Sequence, residues 1–328
     1  MTRSGNLATL VLVELKRLRS RRVTLVAAIL VLLGVGLFQL LVASEVTPPS
    51  AADVTQQQQY YEQAHQEWEQ NHEAQEKLCV EQGGTQSDCV QYEPTPADYS
   101  LTATPFADIA PLAVQLSAYI TLLAAFLVGA SFIGAEYSTG SLANWLTFVP
   151  QRLLVYGSKL VAVALASALG GAVASFLMLG LVALLTRVNG GALTGLRTVA
   201  DDAGRAVPIA VLAGVAGFVF ALLTRHTVAA LGIALGYLVV SAVLGTVTQD
   251  ADGPLGWLPP WLPEHNVTAF LEHGTTYEQY VMTVTESGTS GDSIEKHLSF
   301  GHSVAYWGVL LVVAVVSGAL VFRRRDVT

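Results

Sequence analysis

Apolar and polar residues along this chain come in long blocks, and the block length matches a bilayer rather than one face of a soluble helix or strand. A hydrocarbon core about 30 Å thick is crossed by roughly 20 mostly apolar helical residues. Runs of that size without internal charge lie at about Val23–Ala43, Ile109–Ile133, Leu160–Leu185, Val207–Thr224, Val228–Val247 and Val304–Phe322. The fourth is the shortest and opens beside Pro208. The fifth follows so closely that Thr224-Arg225-His226-Thr227 must be a tight turn at one membrane face. The pattern predicts an all-α polytopic membrane protein with six spans.

The polar blocks between spans are uneven. Residues 44–108 turn rich in Gln, Glu and Tyr, and the stretch Asp53–Leu78 contains neither Pro nor Gly. It predicts an exposed helix or helical hairpin, with Glu62, Glu67, Glu69, Glu73 and Glu76 on a solvated face. Cys79 and Cys89, the only cysteines, flank VEQGGTQSD in the same block. On an oxidising exterior, a pair spanning a Gly-Gly turn predicts a disulfide. Two thiols without a neighbouring His pair are too few for a metal site. Residues 248–302 carry LGWLPPWLPEHNVTAFLEHG, where Trp257 and Trp261 among prolines suit the membrane interface. Short helices, re-entrant or lidding the outer end of the bundle, are expected there. His265, His273, His297 and His302 are irregularly spaced and read as surface histidines. Asn266-Val267-Thr268 matches a glycosylation sequon, a pattern that also arises by chance.

Charge orients the chain. Hydrophobic residues make up 52% and charged residues only 13%, against roughly a quarter charged in soluble domains. With both termini inside, the cytoplasmic segments hold 12 of the 17 basic residues and three of the 25 acids, Glu14, Glu136 and Asp326. This is the positive-inside arrangement. The net charge of −8 therefore comes from external loops and says nothing about nucleic acid. The first span is too long for a signal-peptide core, and Ala43-Ser44-Glu45 is a weak cleavage context. The reading divides the chain into a cytoplasmic interfacial helix at 1–22, span 1 at 23–43, an external loop at 44–108, span 2 at 109–133, and a cytoplasmic connection at 134–157. Spans 3 to 5 fill 158–247, a second external loop occupies 248–302, and span 6 with its tail ends the chain at 303–328.

Some chemistries are disfavoured. No G-x-x-x-x-G-K-[ST] loop occurs, and Gly157–Lys159 lacks both the upstream glycine and the strand of such a loop. Away from their edges the spans hold no Asp, Glu, Lys or His, which speaks against an intramembrane protease or a proton-driven antiporter. ASALGGAVAS, AGVAGF and ALGIALGY in the third to fifth spans are small-residue stretches that let helix backbones approach closely.

The segment GAEYSTGSLANWLTFVPQR, Gly134–Arg152, joins the second and third spans. Ser138 or Thr139 can cap a short helix in which Leu142, Trp145, Leu146 and Val149 form one apolar face, and Pro150 ends it. That helix contains no Lys or Arg, unlike one that lies on lipid, so a protein partner explains it better. Upstream, Asn6–Arg22 predicts an interfacial helix: Leu7, Leu10, Val11 and Leu18 cluster on one side, while Lys16, Arg17, Arg19, Arg21 and Arg22 can meet anionic headgroups. Glu14 falls on the apolar side, which predicts a protein contact, either with the cytoplasmic end of the second span or with a partner.

Glu136 at the membrane edge, Gly140-Ser141, the apolar helix Leu142-Ala143-Asn144-Trp145-Leu146, then Pro150, Arg152 and Lys159, together with ELKRLRSRR and the closing FRRRDV, resemble the permease subunits of type-two ABC exporters. The resemblance implies a half-transporter of the plasma membrane. A second permease subunit would pair with it, and a separate cytoplasmic ABC ATPase would carry the ATP and Mg, leaving no cofactor in this chain. It also implies that Leu142–Phe148 is the coupling helix entering a groove on the ATPase. Glu136, Gly140, Leu142, Trp145, Leu146 and Arg152 are then the coupling residues, and Glu14, Arg17 and Arg21 belong to the interfacial helix. Glu136 is expected to pair with Arg152 or with a basic residue of that helix. The cargo would be an amphiphile: a drug, a lipid or a peptide. The first external block is larger than in the plainer relatives. A receptor or signal-transducing subunit that binds ligand through this block is the alternative, and a membrane enzyme is a weaker one.

Overall fold

The computed structural model describes residues 7–86, 89–99, 103–148, 151–285 and 288–324. Asn6, Val149, Pro150, Arg325 and Asp326, which entered the sequence reading, lie outside them. Helices α1 (Leu7–Arg19) and α2 (Arg22–Val46) lead to α3 (Ala51–Glu81), α4 (Phe106–Ser138), α5 (Ser141–Phe148) and α6 (Arg152–Val188). These are followed by α7 (Leu196–Thr224), α8 (Thr227–Val247), a 3-10 turn at Pro259–Trp261 and α9 (Pro263–Leu271). Strands β1 (Gly274–Thr285) and β2 (Gly288–Ser299) precede α10 (Phe300–Arg324). Among the described residues six helices are long and apolar enough to cross a membrane, α2, α4, α6, α7, α8 and α10, so all six expected spans are present.

The fourth span starts earlier than its apolar run suggests. Pro208 lies inside α7 rather than at its start. The added turns carry Asp202 and Arg205, which pair with each other at i, i+3, and Arg205 Nε also donates to the Leu271 carbonyl at 2.6 Å. A charge-free criterion cuts the helix where these self-satisfied charges begin. The turn into α8 is as tight as predicted, with Arg225 in the left-handed region at φ 62°.

Close backbone approach holds the centre together. α4 packs most extensively on α7, and both lean on α6. A Cβ on Gly129 would strike the Gly214 carbonyl, and one on Gly217 would strike the Phe126 carbonyl. Small residues in α4 and α7 thus bring two backbones within contact, which is how helices associate where lipid removes the hydrophobic driving force. Gly171 of α6 likewise abuts Ala210. The fifth-span stretch behaves differently: nothing stands within 4 Å of a Cβ on Gly232 or Gly236.

Among the described residues of the 44–108 block the expectation of an exposed helix holds in α3, and the chain returns along it without a second helix before α4. Ser50 caps α3 by accepting from the Asp53 amide at 3.3 Å, and none of the α3 residues is buried. The returning chain lies along the helix: Trp68 Nε1 donates to the Gln91 carbonyl at 2.8 Å, and Glu76 accepts from the Gln91 amide at 2.7 Å. Cys79 and Cys89 form the expected disulfide at the helix end.

The 248–302 block contains two short helical pieces and an antiparallel hairpin, β1–β2, in register from Gly274↔Ser299 to Thr285↔Gly288. The hairpin is anchored through buried Gln279, whose side chain donates to the carbonyls of Thr248 at 2.8 Å and Gly256 at 2.9 Å. α9 caps the bundle, with Trp307 of α10 donating to its Asn266 carbonyl at 3.1 Å. Asn266 itself is fully buried and donates to the Pro260 and Leu262 carbonyls, a poor setting for a glycosylation acceptor. His265 packs on Tyr277, His273 stacks on Phe300, and His302 bonds the Pro260 carbonyl. Among the described residues no group of three His, Cys, Asp or Glu side chains converges as a metal site.

Candidate functional site: a buried ion cluster at the basic end

The end of the bundle that carries α1, α5 and the α7–α8 turn assembles most of the residues singled out in the sequence. α1 places Leu10, Val11, Glu14 and Leu18 on one buried stripe, and that stripe packs along the start of α6. The break between α1 and α2 leaves Arg21 extended at φ −77°, ψ 135°, turning its guanidinium toward the end of α4. α4 contributes Glu136 in its last turns, and α6 contributes Lys159, which is completely buried. Ridges of apolar side chains thus carry three charged groups inward on three separate segments.

Lys159 is the centre. Its ammonium donates to Glu14 Oε2 at 3.0 Å and to Glu136 Oε1 at 2.9 Å. The second oxygen of each carboxylate, Glu14 Oε1 at 3.0 Å and Glu136 Oε2 at 2.7 Å, is in ion-pair contact without a directed hydrogen bond. An ammonium has three protons and cannot direct bonds at four oxygens. Arg21 adds a contact to Glu136 at 3.2 Å and donates to the Ser131 carbonyl at 3.0 Å. Arg17 lies farther out, 3.8 Å from Glu14 and 4.0 Å from Glu136. Burial pulls the Arg21 pKa below its ordinary value, against the opposing pull of Glu136 and Glu14. The Phe132 ring faces both Lys159 and Arg21, at 5.0 and 4.8 Å.

Two carboxylates and three cations thus join α1, the α1–α2 break, the end of α4 and the foot of α6. Removing one partner from such a buried set leaves an uncompensated charge and costs roughly 3–5 kcal/mol. The cluster thus ties these segments into one ion-paired block.

α5 is fastened to the same block. Gly140, at φ 68°, takes the left-handed turn between α4 and α5 that costs other residues energy. Leu142 is completely buried in the core shared by α4, α6 and α7. Trp145 is half-buried, and the Arg17 guanidinium lies 4.4 Å over its ring. Ser141, Asn144 and Thr147 are exposed.

Several expectations change in detail. Ser138 and Thr139 end α4: both hydroxyls donate to the Ala135 carbonyl, and that of Thr139 also meets Ser141 Oγ, at the start of α5, at 3.1 Å. Glu14 does make a protein contact, but its direct partner is Lys159 on the third span, with Glu136 of the second span on the other side of the ammonium. Glu136 pairs with Arg21 of the expected segment and with Lys159. Arg152 begins α6 and, with Arg323, borders a shallow surface depression. The missed residue is Lys159: its place at the foot of a span was visible, its central role was not. Glu14 on an apolar face was the signal, because a buried carboxylate demands a buried cation. Cys79, in α3, and Cys89, in the returning chain, lie outside this cluster.

Residues 12–327 match the family model described as ABC-2 family transporter protein. No curated protein and no solved structure matches the chain.

Proposed function

The chain belongs to the ABC-2 family of transporter proteins and is a multi-pass membrane permease of an ABC transporter, and from that premise we propose that it exports an amphiphilic cargo across the plasma membrane. Permeases of this family work with an ATPase subunit. In this reading the ATPase is a separate cytoplasmic chain that supplies ATP and Mg, a second permease subunit completes the pathway, and both termini face the cytoplasm. The basic end then meets the ATPase, in keeping with the concentration of Lys and Arg there.

One observation carries the mechanism: Lys159 ties Glu14 to Glu136 in a fully buried cluster. A short helix docked on a moving ATPase is useful only if its displacement reaches the spans. α5 is fixed through Leu142 to the core and through Trp145 to Arg17, and Arg17 stands at the edge of the ion cluster. A push on α5 is thereby delivered to α1, α4 and α6 together. The docking surface is the exposed side with Ser141, Asn144 and Thr147, since Leu142 is committed to the core.

The test is purification from the native cell in mild detergent. A copurifying ATPase, lost on changing Asn144 and Thr147 to Arg while the spans stay folded, supports the reading. If no ATPase accompanies the chain, the export reading falls, and the exposed α3 arm is better read as a receptor element.

A further inference from the structure

An apolar cavity of about 460 Å³ lies between α4, α7, α8 and α10, beneath α9. Phe126, Ala216, Leu238 and Trp307 are among its walls, and Glu264 of α9 stands at its rim. Sites for small ligands run to about 300–1,000 Å³ and pair apolar walls with a few placed polar groups. Here the placed pair is Glu264 and Tyr237, whose hydroxyl donates to Glu264 Oε2 at 2.7 Å.

Among the described residues the carboxylate has no fixed cation: no Lys, Arg or His nitrogen lies within ion-pair distance of it, in contrast to Glu136, Glu14 and Asp202. The adjacent His265 turns to the Tyr277 ring, 5.1 Å between centroids, and burial holds its imidazole below the usual pKa against the opposing pull of Glu264. The rim also sits near an interface: Trp257 and Trp261, on the segment leading into α9, are exposed, as indoles at a headgroup layer are. The cavity is therefore apolar in depth and acidic at its mouth. It lies between α8, which leans on α4 and α7, and α10, which packs on α6, α7 and α9.

We infer that this cavity holds the apolar body of a cationic amphiphile, with the ammonium group seated at Glu264 and Tyr237. Charge complementarity selects this occupant over a neutral or anionic lipid, since the single rim carboxylate attracts a cation and repels an anion. The inference depends on the transport reading only in treating the bound molecule as cargo; binding itself needs no ATPase.

The experiment uses the full chain in phosphatidylcholine nanodiscs, titrated calorimetrically with dodecylammonium chloride and with dodecanol, and with empty discs as the partition control. The expected result is saturable binding of dodecylammonium at least about tenfold tighter than dodecanol, the scale of one hydrogen bond to a charged group. E264Q should erase that preference while leaving dodecanol binding unchanged, and A216F should remove saturable binding of both. Equal affinities for the two probes, an E264Q protein that keeps the preference, or no binding above empty discs would overturn the inference. Binding that persists without stimulating a copurified ATPase would support the site and count against the transport reading, so the two failures are separable.

Discussion

Replacing Lys159 with Met keeps an unbranched side chain, one heavy atom shorter, and removes its charge, so it tests chiefly the electrostatic role of the cluster centre. At about 3 Å and an effective dielectric near 20, a unit charge pair attracts by roughly 5 kcal/mol before desolvation. Lys159 makes such contacts with two carboxylates, both almost wholly buried. Arg21 at 3.2 Å from Glu136 and Arg17 at 3.8 Å from Glu14 would partly compensate its loss. The net destabilisation is therefore placed at the lower end of the range for a broken buried pair, about 3 kcal/mol. With roughly 2–4 °C of melting shift per kcal/mol in a chain of a few hundred residues, K159M should melt roughly 6–12 °C below the wild type in detergent. A triple variant, E14Q/E136Q/K159M, neutralises the three most deeply buried groups and leaves only the part-exposed Arg21 and Arg17 without a carboxylate, so it should recover part of that loss, because a buried pair often contributes little net stability over a neutral replacement. A K159M protein melting within about 2 °C of wild type would refute the argument. So would a triple variant as unstable as the single one, since the loss would then come from packing rather than charge.

Four other outcomes follow from the same geometry. L142D should unfold the basic end, at a cost of about 3–5 kcal/mol, whereas N144R/T147R should melt like wild type yet bind the ATPase at least tenfold more weakly in a pull-down titration. Gly129→Val, which meets the α7 backbone, should cost at least 1–3 kcal/mol by overpacking, while Gly170→Ala, with open space around it, should be neutral or stabilising in the same melts. Changing Cys79 and Cys89 to Ser should free the end of α3 at a local cost of about 2–3 kcal/mol, seen as faster amide exchange at residues 76–81 with the spans unaffected. In that cysteine-free background, a membrane-impermeant maleimide applied to intact cells should label Glu62→Cys and leave Asn144→Cys unlabelled; the reverse would invert the proposed orientation.

The spans were legible because burial in lipid imposes one simple rule on every residue of a crossing helix, and that rule can be read one segment at a time. Where the rule has local exceptions the reading slipped, as at Asp202 and Arg205, whose mutual pairing lets α7 begin at Leu196. The β1–β2 hairpin went unread. Its Thr, Tyr and Val residues favour strands, but proline- and tryptophan-rich neighbours drew attention to helices, and its anchor through Gln279 depends on carbonyls 23 and 31 residues away. The ion cluster lies between these cases. Glu14 stood out on an apolar stripe, yet its partner is 145 residues distant, and only the packing of α1 on α6 brings the two together. The Glu264 rim had no signature, since a lone acid in a polar loop is ordinary until the helices around it are placed.

α6 is 37 residues long, about 55 Å of helix, where a bilayer core needs about 30 Å. Its ion-held foot, Lys159, is some 44 Å from Val188 at the far end. Pivoted there, a tilt of about 10° would swing that end by roughly 8 Å on the same rise per residue. The helix is thus a lever with its fulcrum beside the proposed ATPase contact. A small rotation at one membrane face becomes a displacement the width of a side chain or more at the other, without any hinge in between.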